Sequence, residues 1–371
     1  MKLLKQIHHI PIIGLLVFGM MGGFLSINAM SDILPELTFE LSEFEKITAF
    51  AISPGNEQIF IGGYKKDNEG TISDWYYRGF LFSLISGEKT LEFTQHKGYI
   101  GGAVFSSDGE KILTSGVPYT AFLWDAKTGQ VLQTFKTNAQ TDQYNYGYVS
   151  GVAFLSDDTQ IALGDHRGNF HVFDISTGDE LNYLPWYKSV GSIGNITIFN
   201  KETRAIVSNT TGGSTFVVAL ENDKSVTVLY PLGVGKAVLS EDKKYVITVE
   251  SFLTKGPVSY FAYRDIETGE FVKKSKYINA FTIYALSSNA EFAIARHKNV
   301  TDKDDQYMFV SSSTRKVLDD FSSDKSVVFD DPYAFQIVSD DTKAVIVKDN
   351  VLQIFDISDL TSTAETGEEL N

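Results

Sequence analysis

A sequence unit that recurs seven times is the feature that most constrains how this chain can fold. Each copy opens with alternating apolar residues that run into a turn, as in Val-Phe-Ser-Ser-Asp-Gly at 104–109 and Val-Leu-Ser-Glu-Asp at 238–242. The turns are centred on positions 53, 106, 156, 200, 240, 287 and 339, so successive copies are 40 to 53 residues apart. A repeat of this length is typical of a four-stranded propeller blade. The sequence therefore predicts an all-β fold, a seven-bladed β-propeller.

A second marker within several units is a short turn of the type Asp-x-x-Thr-Gly. Its copies begin at Asp125, Asp174 and Asp265, and each lies between two alternating apolar runs. The Gly supplies the positive φ that a short hairpin turn needs, and the Asp carboxylate can accept hydrogen bonds from the turn's own amides. We interpret these aspartates as structural rather than catalytic.

The units resemble WD40 repeats. Trp124-Asp125 is the dipeptide that gives that family its name, and Phe173-Asp174 and Phe355-Asp356 are related pairs in other units. His96 lies where the family has its Gly-His pair. The resemblance covers residues 47 to about 358 and implies a WD40-like propeller.

One departure from the family concerns a buried, hydrogen-bonded set of His, Asp, Ser or Thr, and Trp that the resemblance implies. Pro118 and Tyr119 occupy the Asp position of the second unit, and Arg167 occupies it in the third. The set is therefore expected to be incomplete. Asp165 and His166 lie in the same tight turn as Arg167, so they are expected to be exposed to solvent.

The two ends of the repeat region complement each other. The seventh unit stops after 352–357, which we interpret as its third strand, and no fourth strand follows. Residues 37–41, before the first unit, resemble the fourth strands of other units. We therefore expect an N-terminal strand that closes the last blade. The predicted propeller spans residues 36–360, and 361–371 are predicted to be a disordered acidic tail.

Residues 1–29 have the pattern of a secretory signal peptide or a membrane anchor. Lys2 and Lys5 precede an uncharged stretch at 10–25, and small residues follow as far as Ala29. This apolar run is slightly long for a signal and short of the ~20 residues of a spanning helix. Both interpretations predict a periplasmic or secreted bacterial protein, and an uncleaved segment would anchor it to the inner membrane. A buried core helix is the third alternative.

The composition excludes several classes of function. The net charge is -15, which disfavours nucleic acid as a partner because the phosphate backbone would be repelled. The chain contains no cysteine, so disulfides, thiolate metal sites and catalytic thiols are excluded. The sequence predicts no cofactor and no bound metal.

The candidate binding site is a set of aromatic residues in the longer connections of one propeller face. We call it the top face: there the connections between strands two and three of a blade emerge, together with those between blades. Long segments at 63–77 and 136–147 are predicted to be loops on it, and loops on a rigid scaffold often bind partners. The alternative is that these aromatics pack between blades. The candidate protein-binding residues are Trp75, Tyr77, Tyr144, Tyr146, Trp186 and Tyr187.

The resulting hypothesis is a non-catalytic scaffold that binds a protein or peptide. The alternative is a propeller enzyme, either a metal-dependent hydrolase or a quinone-type dehydrogenase, with a site in the central channel. No local catalytic motif occurs, but propeller enzymes draw their groups from several blades. The acidic segment 299–305 is considered for Ca²⁺, although it lacks the Gly and distant Glu of a calcium loop.

Overall fold

Alternating apolar runs form β-strands in this protein. In Lys46–Ile52 every second side chain is buried, because successive side chains of a strand point to opposite faces of the sheet. Gln58–Lys66 buries five consecutive residues, as expected of a strand covered on both faces. The computed structural model describes residues 36–66, 75–137, 147–155, 157–184, 192–199, 204–209, 214–220, 226–234, 237–239, 244–252, 258–274, 282–286, 292–297, 306–311, 317–320, 334–337, 342–348 and 350–358.

These residues contain twenty-eight strands, which we number in chain order. They are β1 (Leu37–Glu40), β2 (Lys46–Ile52), β3 (Gln58–Lys66), β4 (Trp75–Ser83), β5 (Lys89–Phe93), β6 (Ile100–Phe105), β7 (Lys111–Gly116), β8 (Thr120–Asp125), β9 (Val131–Lys136), β10 (Val149–Leu155), β11 (Gln160–Asp165), β12 (Phe170–Asp174), β13 (Glu180–Leu184), β14 (Ile193–Phe199), β15 (Arg204–Asn209), β16 (Ser214–Leu220), β17 (Val226–Val234), β18 (Ala237–Leu239), β19 (Tyr245–Phe252), β20 (Val258–Asp265), β21 (Phe271–Lys274), β22 (Thr282–Leu286), β23 (Phe292–His297), β24 (Gln306–Ser311), β25 (Val317–Asp320), β26 (Ala334–Ile337), β27 (Lys343–Lys348) and β28 (Val351–Asp356).

Within the described part of the chain, these strands form seven four-stranded antiparallel sheets. Sheets 1 to 6 each take four consecutive strands: β2–β5, β6–β9, β10–β13, β14–β17, β18–β21 and β22–β25. Sheet 7 contains β26, β27 and β28, and its fourth strand is β1. Each of the first six sheets is therefore a meander of hairpins, and the seventh is completed from the other end of the chain.

The N-terminal strand β1 pairs with the last strand of the chain. Leu37 lies opposite Ile354, and Glu40 lies opposite Val351. Beyond the strand, the Glu36 amide donates to the Ile354 carbonyl at 2.8 Å. The Glu36 carboxylate also lies 3.0 Å from the Lys343 ammonium. Residues 36–40 thus occupy the edge of sheet 7, where the sequence predicts them to pair.

Apolar side chains fill the spaces between consecutive sheets from sheet 7 to sheet 4. Val347 and Leu352 of sheet 7 share a core with Ile59 and Phe82 of sheet 1. Comparable cores lie between sheets 1 and 2, sheets 2 and 3, and sheets 3 and 4. Burial of each such side chain contributes about 1.5–3 kcal/mol, so these inter-sheet cores dominate the stability of the fold.

Other contacts extend the row of neighbouring sheets. The Arg204 guanidinium of sheet 4 donates at 2.7 Å to the carbonyl of Ile266, in the turn that joins β20 and β21 of sheet 5. It also lies 2.6 Å from the Glu267 carboxylate. Strand β22 of sheet 6 contacts strand β26 of sheet 7.

The first strands of successive sheets run beside one another. Each of β2, β6 and β10 carries a bulge near its start, at Thr48, Gly101 and Ser150 respectively. The Thr48 hydroxyl donates across to the Ile100 carbonyl at 2.7 Å, and the Ser150 hydroxyl donates to a carbonyl of β14 at 2.7 Å. At Gly101 an added Cβ would lie 2.9 Å from the carbonyl oxygen of Val149, so a larger residue would push β6 and β10 apart.

The predicted Asp-x-x-Thr-Gly turns are confirmed. The Asp125 carboxylate accepts the amides of Lys127 at 3.0 Å and Thr128 at 2.7 Å, and Gly129 has φ 71°. The turns at Asp174 and Asp265 repeat these bonds. They join the third and fourth strands of their sheets, at the end opposite the connection between the second and third strands.

The loop predicted at 63–77 is wrong in its extent. Strand β3 continues to Lys66 and β4 begins at Trp75, so residues 63–66 and 75–77 are strand. Tyr64 pairs directly with Tyr77, and aromatic cross-strand pairs favour continued sheet pairing. The aromatic residues of this segment therefore lie on a sheet rather than in a loop.

Two further observations apply to the described residues. No helix among them is long and apolar enough to cross a membrane. No group of three or more His, Asp or Glu side chains in the same ranges is arranged to hold a metal ion. The segments considered above as signal or anchor, as calcium loop and as acidic tail lie outside these ranges.

Candidate binding surface

Two of the six candidate residues lie in the described ranges. Trp75 and Tyr77 are the first and third residues of β4, at the end of sheet 1 where β3 and β4 are connected. Tyr144, Tyr146, Trp186 and Tyr187 fall outside the described residues. Tyr77 takes part in a larger aromatic surface.

The first part of this surface is a pair of tyrosines on sheet 1. The rings of Tyr64 and Tyr77 are 6.1 Å apart on adjacent strands, and both side chains are half-buried. Burial raises the pKa of Tyr77, and the Tyr64 phenol adds to this shift. The Tyr77 hydroxyl therefore stays protonated at neutral pH and remains able to donate a hydrogen bond.

The second part comes from the residues that precede sheets 2 and 3. Tyr99 and Tyr148 hold equivalent positions, one residue before the first strand of each sheet. Tyr99 is 40% exposed. Burial raises the pKa of Tyr99, Lys46 opposes this, and the phenols of Tyr148 and Tyr64 raise it further. Tyr64 lies on sheet 1, and Tyr99 and Tyr148 directly precede sheets 2 and 3, so the interacting phenols span one edge of three sheets.

A histidine continues the surface on sheet 3. The His166 ring is 5.5 Å from the ring of Tyr148 and 5.4 Å from that of Tyr119. Tyr119 is buried, and its amide donates to the Gly147 carbonyl at 3.0 Å. Gly147 leaves the space that the Tyr119 ring fills, because an added Cβ would overlap that ring.

We name the surface formed by Tyr77, Tyr64, Tyr99, Tyr148 and His166 the tyrosine row. It lies at the ends of sheets 1 to 3 where their second and third strands are connected. Tyr and Trp are favoured at protein interfaces because they bury a large area for a small loss of side-chain entropy. Tyr64 and Tyr99 were not predicted from the sequence. The shared position of Tyr99 and Tyr148, one residue before the first buried residue of a unit, is the signal that could have found Tyr99.

Beneath the row, sheet 2 contains the incomplete polar set implied by the resemblance. His96 Nε2 is 2.7 Å from the Thr114 hydroxyl, to which the Trp124 indole donates at 2.8 Å. Burial lowers the pKa of His96 to about 3, so the imidazole is neutral at pH 7. A neutral imidazole nitrogen can accept the Thr114 proton, which completes the chain from Trp124 to His96. The expected Asp is absent here, and Pro118 and Tyr119 lie at its place.

In sheet 3 the expectation of solvent exposure is wrong for Asp165, which is 1% exposed. Asp165, two residues before Arg167, holds the turn together. Its carboxylate accepts the amides of Arg167 and Asn169, both at 2.8 Å, and the Asn169 side-chain amide at 2.8 Å. His166 is half-buried, and Arg167 is exposed. The carboxylate is buried because the turn's donors converge on it.

A second buried histidine completes this cluster. His171 Nδ1 is 2.6 Å from the Glu180 carboxylate, and Nε2 is 3.6 Å from the Asp165 carboxylate. Burial by itself would raise the pKa of Asp165, but interactions with His171 and Asn169 outweigh it and lower that pKa. The cluster therefore stabilises an ionised carboxylate inside the sheet.

The fold and these sites define a class: an all-β chain built from repeated four-stranded sheets, with features of WD40 repeat proteins. The chain is similar to the mouse (Mus musculus) serine-threonine kinase receptor-associated protein, a WD40-containing protein, at 26% identity over 220 residues. This match covers 50% of the chain and 59% of the mouse protein, so it spans less than two thirds of that relative. No protein-family model matches the chain.

Proposed function

We propose that this protein is a WD40-like scaffold that binds another protein or a peptide through the tyrosine row, and that it is not an enzyme. The observation that carries the proposal is the row itself, since half-buried and exposed tyrosines are aligned across three sheets at one edge. The mouse relative is named for its association with a receptor, which is in line with this role.

The proposed architecture is a closed propeller of seven blades. Seven four-stranded sheets within the described residues, and shared cores from sheet 7 through sheet 4, support it. The pairing of β1 with β28 supports a ring in which the N-terminal strand completes the last blade.

Within the described residues, a depression at the first strands of sheets 1 and 2 offers no titratable group for catalysis. It has a volume of about 220 Å³ and lies between β2 and β6. Phe50, Ile52 and Phe105 contribute to its lining, which contains no titratable side chain in the described ranges. General acid–base or metal chemistry requires such groups at the reacting centre.

We also propose that the protein acts in the periplasm or outside the cell. This part rests on the charge and apolar pattern of residues 1–29, which has the order of a secretory signal or anchor. Whether the segment is cleaved is tested by N-terminal sequencing of protein purified from its native membrane and soluble fractions.

The binding role is tested by crosslinked affinity capture of the tagged full-length protein from its native cells, with mass spectrometry of the retained proteins. We expect a reproducible partner whose recovery falls about tenfold or more in the variant Tyr64→Ala/Tyr99→Ala/Tyr148→Ala, because interface tyrosines often carry much of the binding energy. A second variant with alanine at Tyr144, Tyr146, Trp186 and Tyr187 tests the candidate residues that lie outside the described ranges.

The matched control replaces Tyr183 and Phe271, which are 46% and 49% exposed on the fourth strands of sheets 3 and 5. It should retain the partner. If the tyrosine-row variant recovered as much partner as the wild-type protein, with an unchanged thermal unfolding midpoint, the proposed site would be contradicted.

A further inference from the structure

A cationic pocket lies beside the tyrosine row, on the other face of sheet 1. It has a volume of about 340 Å³ and lies at the ends of β3 and β4, beneath the connection from β1 to β2. Its charged lining consists of Lys65, Lys66, Arg78, Lys89, Glu43 and Glu92. Four cations against two carboxylates give this lining a positive balance, whereas the whole chain carries a net charge of -15.

Two of the cations are held in place by carboxylates and aromatic rings. The Lys89 ammonium lies 3.3 Å from the Glu43 carboxylate and 4.4 Å from the centre of the Phe80 ring. The Arg78 guanidinium pairs with Glu92, and its centre is 5.5 Å from the Tyr76 ring. Cation–π contacts and ion pairs together restrict where these two groups can point.

The other two cations are not neutralised by a carboxylate within the described residues. The Lys65 ammonium donates to the Ser42 carbonyl at 3.0 Å, which satisfies one donor and leaves its charge uncompensated by that bond. The Lys66 ammonium has no ion pair with any described carboxylate, although its backbone amide donates to Glu45 at 3.2 Å. Both lysines are exposed at the rim.

Aromatic side chains form the apolar part of the pocket. Tyr76 is 49% exposed and lies directly opposite Lys65 on the neighbouring strand, while Phe80 is buried below it. Tyr76 adjoins Tyr77 of the tyrosine row, and successive strand residues face opposite sides of the sheet. The pocket and the row therefore meet at the same end of sheet 1.

We propose that this pocket binds an acidic peptide segment of the partner, with its carboxylates at Lys65, Lys66 and Arg78 and an apolar side chain against Tyr76. The proposal rests on the protein-binding role proposed above and adds the chemistry of the ligand. Charge complementarity supports an acidic ligand, because a concentrated positive site on an acidic protein attracts acidic segments locally. The remaining surface, which is negative on balance, repels them, so the pocket would supply selectivity.

The test measures binding of a fluorescein-labelled dodecapeptide of glutamate and leucine to the full-length protein by fluorescence anisotropy. The comparison peptide replaces every glutamate with glutamine. We expect the acidic peptide to bind at least about tenfold more tightly than the neutral one at low salt, because charge pairing is lost in the latter. Its affinity should fall severalfold between about 50 and 300 mM NaCl, since the pairs lie at the surface and are screened.

The decisive variant is Lys65→Glu/Lys66→Glu, which reverses the two rim charges without removing a carboxylate's partner. We expect it to weaken the acidic peptide about tenfold or more. The matched control is Lys127→Glu, an exposed lysine on the turn at the opposite end of sheet 2, which should leave the affinity unchanged. Circular dichroism melts confirm that both variants fold.

Equal binding of the two peptides, or equal loss with both lysine variants, would overturn the pocket proposal. The capture experiment separates this from failure of the binding role. A partner that depends on the tyrosine row, together with no preference for the acidic peptide, refutes the pocket alone. Acidic-peptide binding that Lys65→Glu/Lys66→Glu leaves intact places the ligand elsewhere and also refutes it.

Discussion

Sheets 2 and 3 each contain a buried cluster of polar side chains, but different residues form the two clusters. By strand pairing, Asp165 and His171 of sheet 3 occupy the positions that Gly116 and Phe122 occupy in sheet 2. Thr114 of the buried set in sheet 2 corresponds to an apolar residue, Leu163. Each sheet thus has one internal polar cluster, and the two clusters lie in different places.

The Asp165 carboxylate makes the stability of sheet 3 depend on pH. Its pKa is lower in the folded chain than its ordinary value of 3.8, so the ionised form favours folding. That contribution is fully present above the ordinary value and is lost as the pH falls through the lowered, folded value. We expect Asp165→Asn to reduce the free energy of unfolding by about 1–3 kcal/mol at pH 7, because charged hydrogen bonds are lost in a buried site.

Urea unfolding of wild type and Asp165→Asn at several pH values checks this expectation. The difference between them should shrink below pH 3.8 and be unchanged between pH 6 and 8. The exposed Asp179→Asn serves as the control and should have a small effect at every pH. A constant difference from pH 7 down to pH 2 would contradict a role for the charge.

The two clusters differ in how far the sequence could reveal them. His96 and Trp124 follow the pattern of a known repeat, so their burial could be predicted from position alone. Asp165 and His171 are brought together by the register between β11 and β12, and Glu180 is added by β13. A cluster that depends on the registers of two strand pairs has no signature along the chain.

Among the elements, β1 has the longest-range pairing. Its residues contact the core shared by sheets 7 and 1, with Leu37 and Phe39 packed against that core. Leu41, which directly follows the strand, is 1% exposed and is part of the same core. The strand therefore both covers an edge and fills an inter-sheet space.

Removal of residues 36–41 should lower the thermal unfolding midpoint sharply. Loss of three apolar side chains at about 1.5–3 kcal/mol each removes a large part of a typical domain's stability. Differential scanning calorimetry measures the change, and a synthetic peptide of residues 34–43 added in excess should restore part of it. Deletion of residues 361–371, a longer segment, is the control, for which no change is expected.

If the midpoint of the 36–41 deletion equalled that of the control, β1 would be dispensable.

The sequence predicted this strand because its pattern matches the fourth strands of other units. It did not predict that β3 and β4 extend past Tyr64 and Tyr77. The reason is that their pairing depends on cross-strand contacts between aromatic residues rather than on turn residues.

The whole molecule is expected to be compact if the seven sheets form a ring. A closed, globular chain of this length has a radius of gyration of about 20 Å. Small-angle X-ray scattering of the chain without residues 1–29 provides the measurement. An open row of seven sheets would be more extended, and a radius well above that value would contradict closure.

The pairing of β1 with β28 also determines when the first strand can fold during synthesis of the chain. Ribosomes make proteins from the N-terminus, so residues 37–40 emerge more than 300 positions before their partner strand. During that interval the growing chain has no place for its first strand, and a prematurely terminated product never acquires one. Such a fragment would keep both an unpaired first strand and an exposed sheet edge. Unpaired strand edges promote aggregation and proteolysis, so truncated chains are expected to be removed more readily than complete ones.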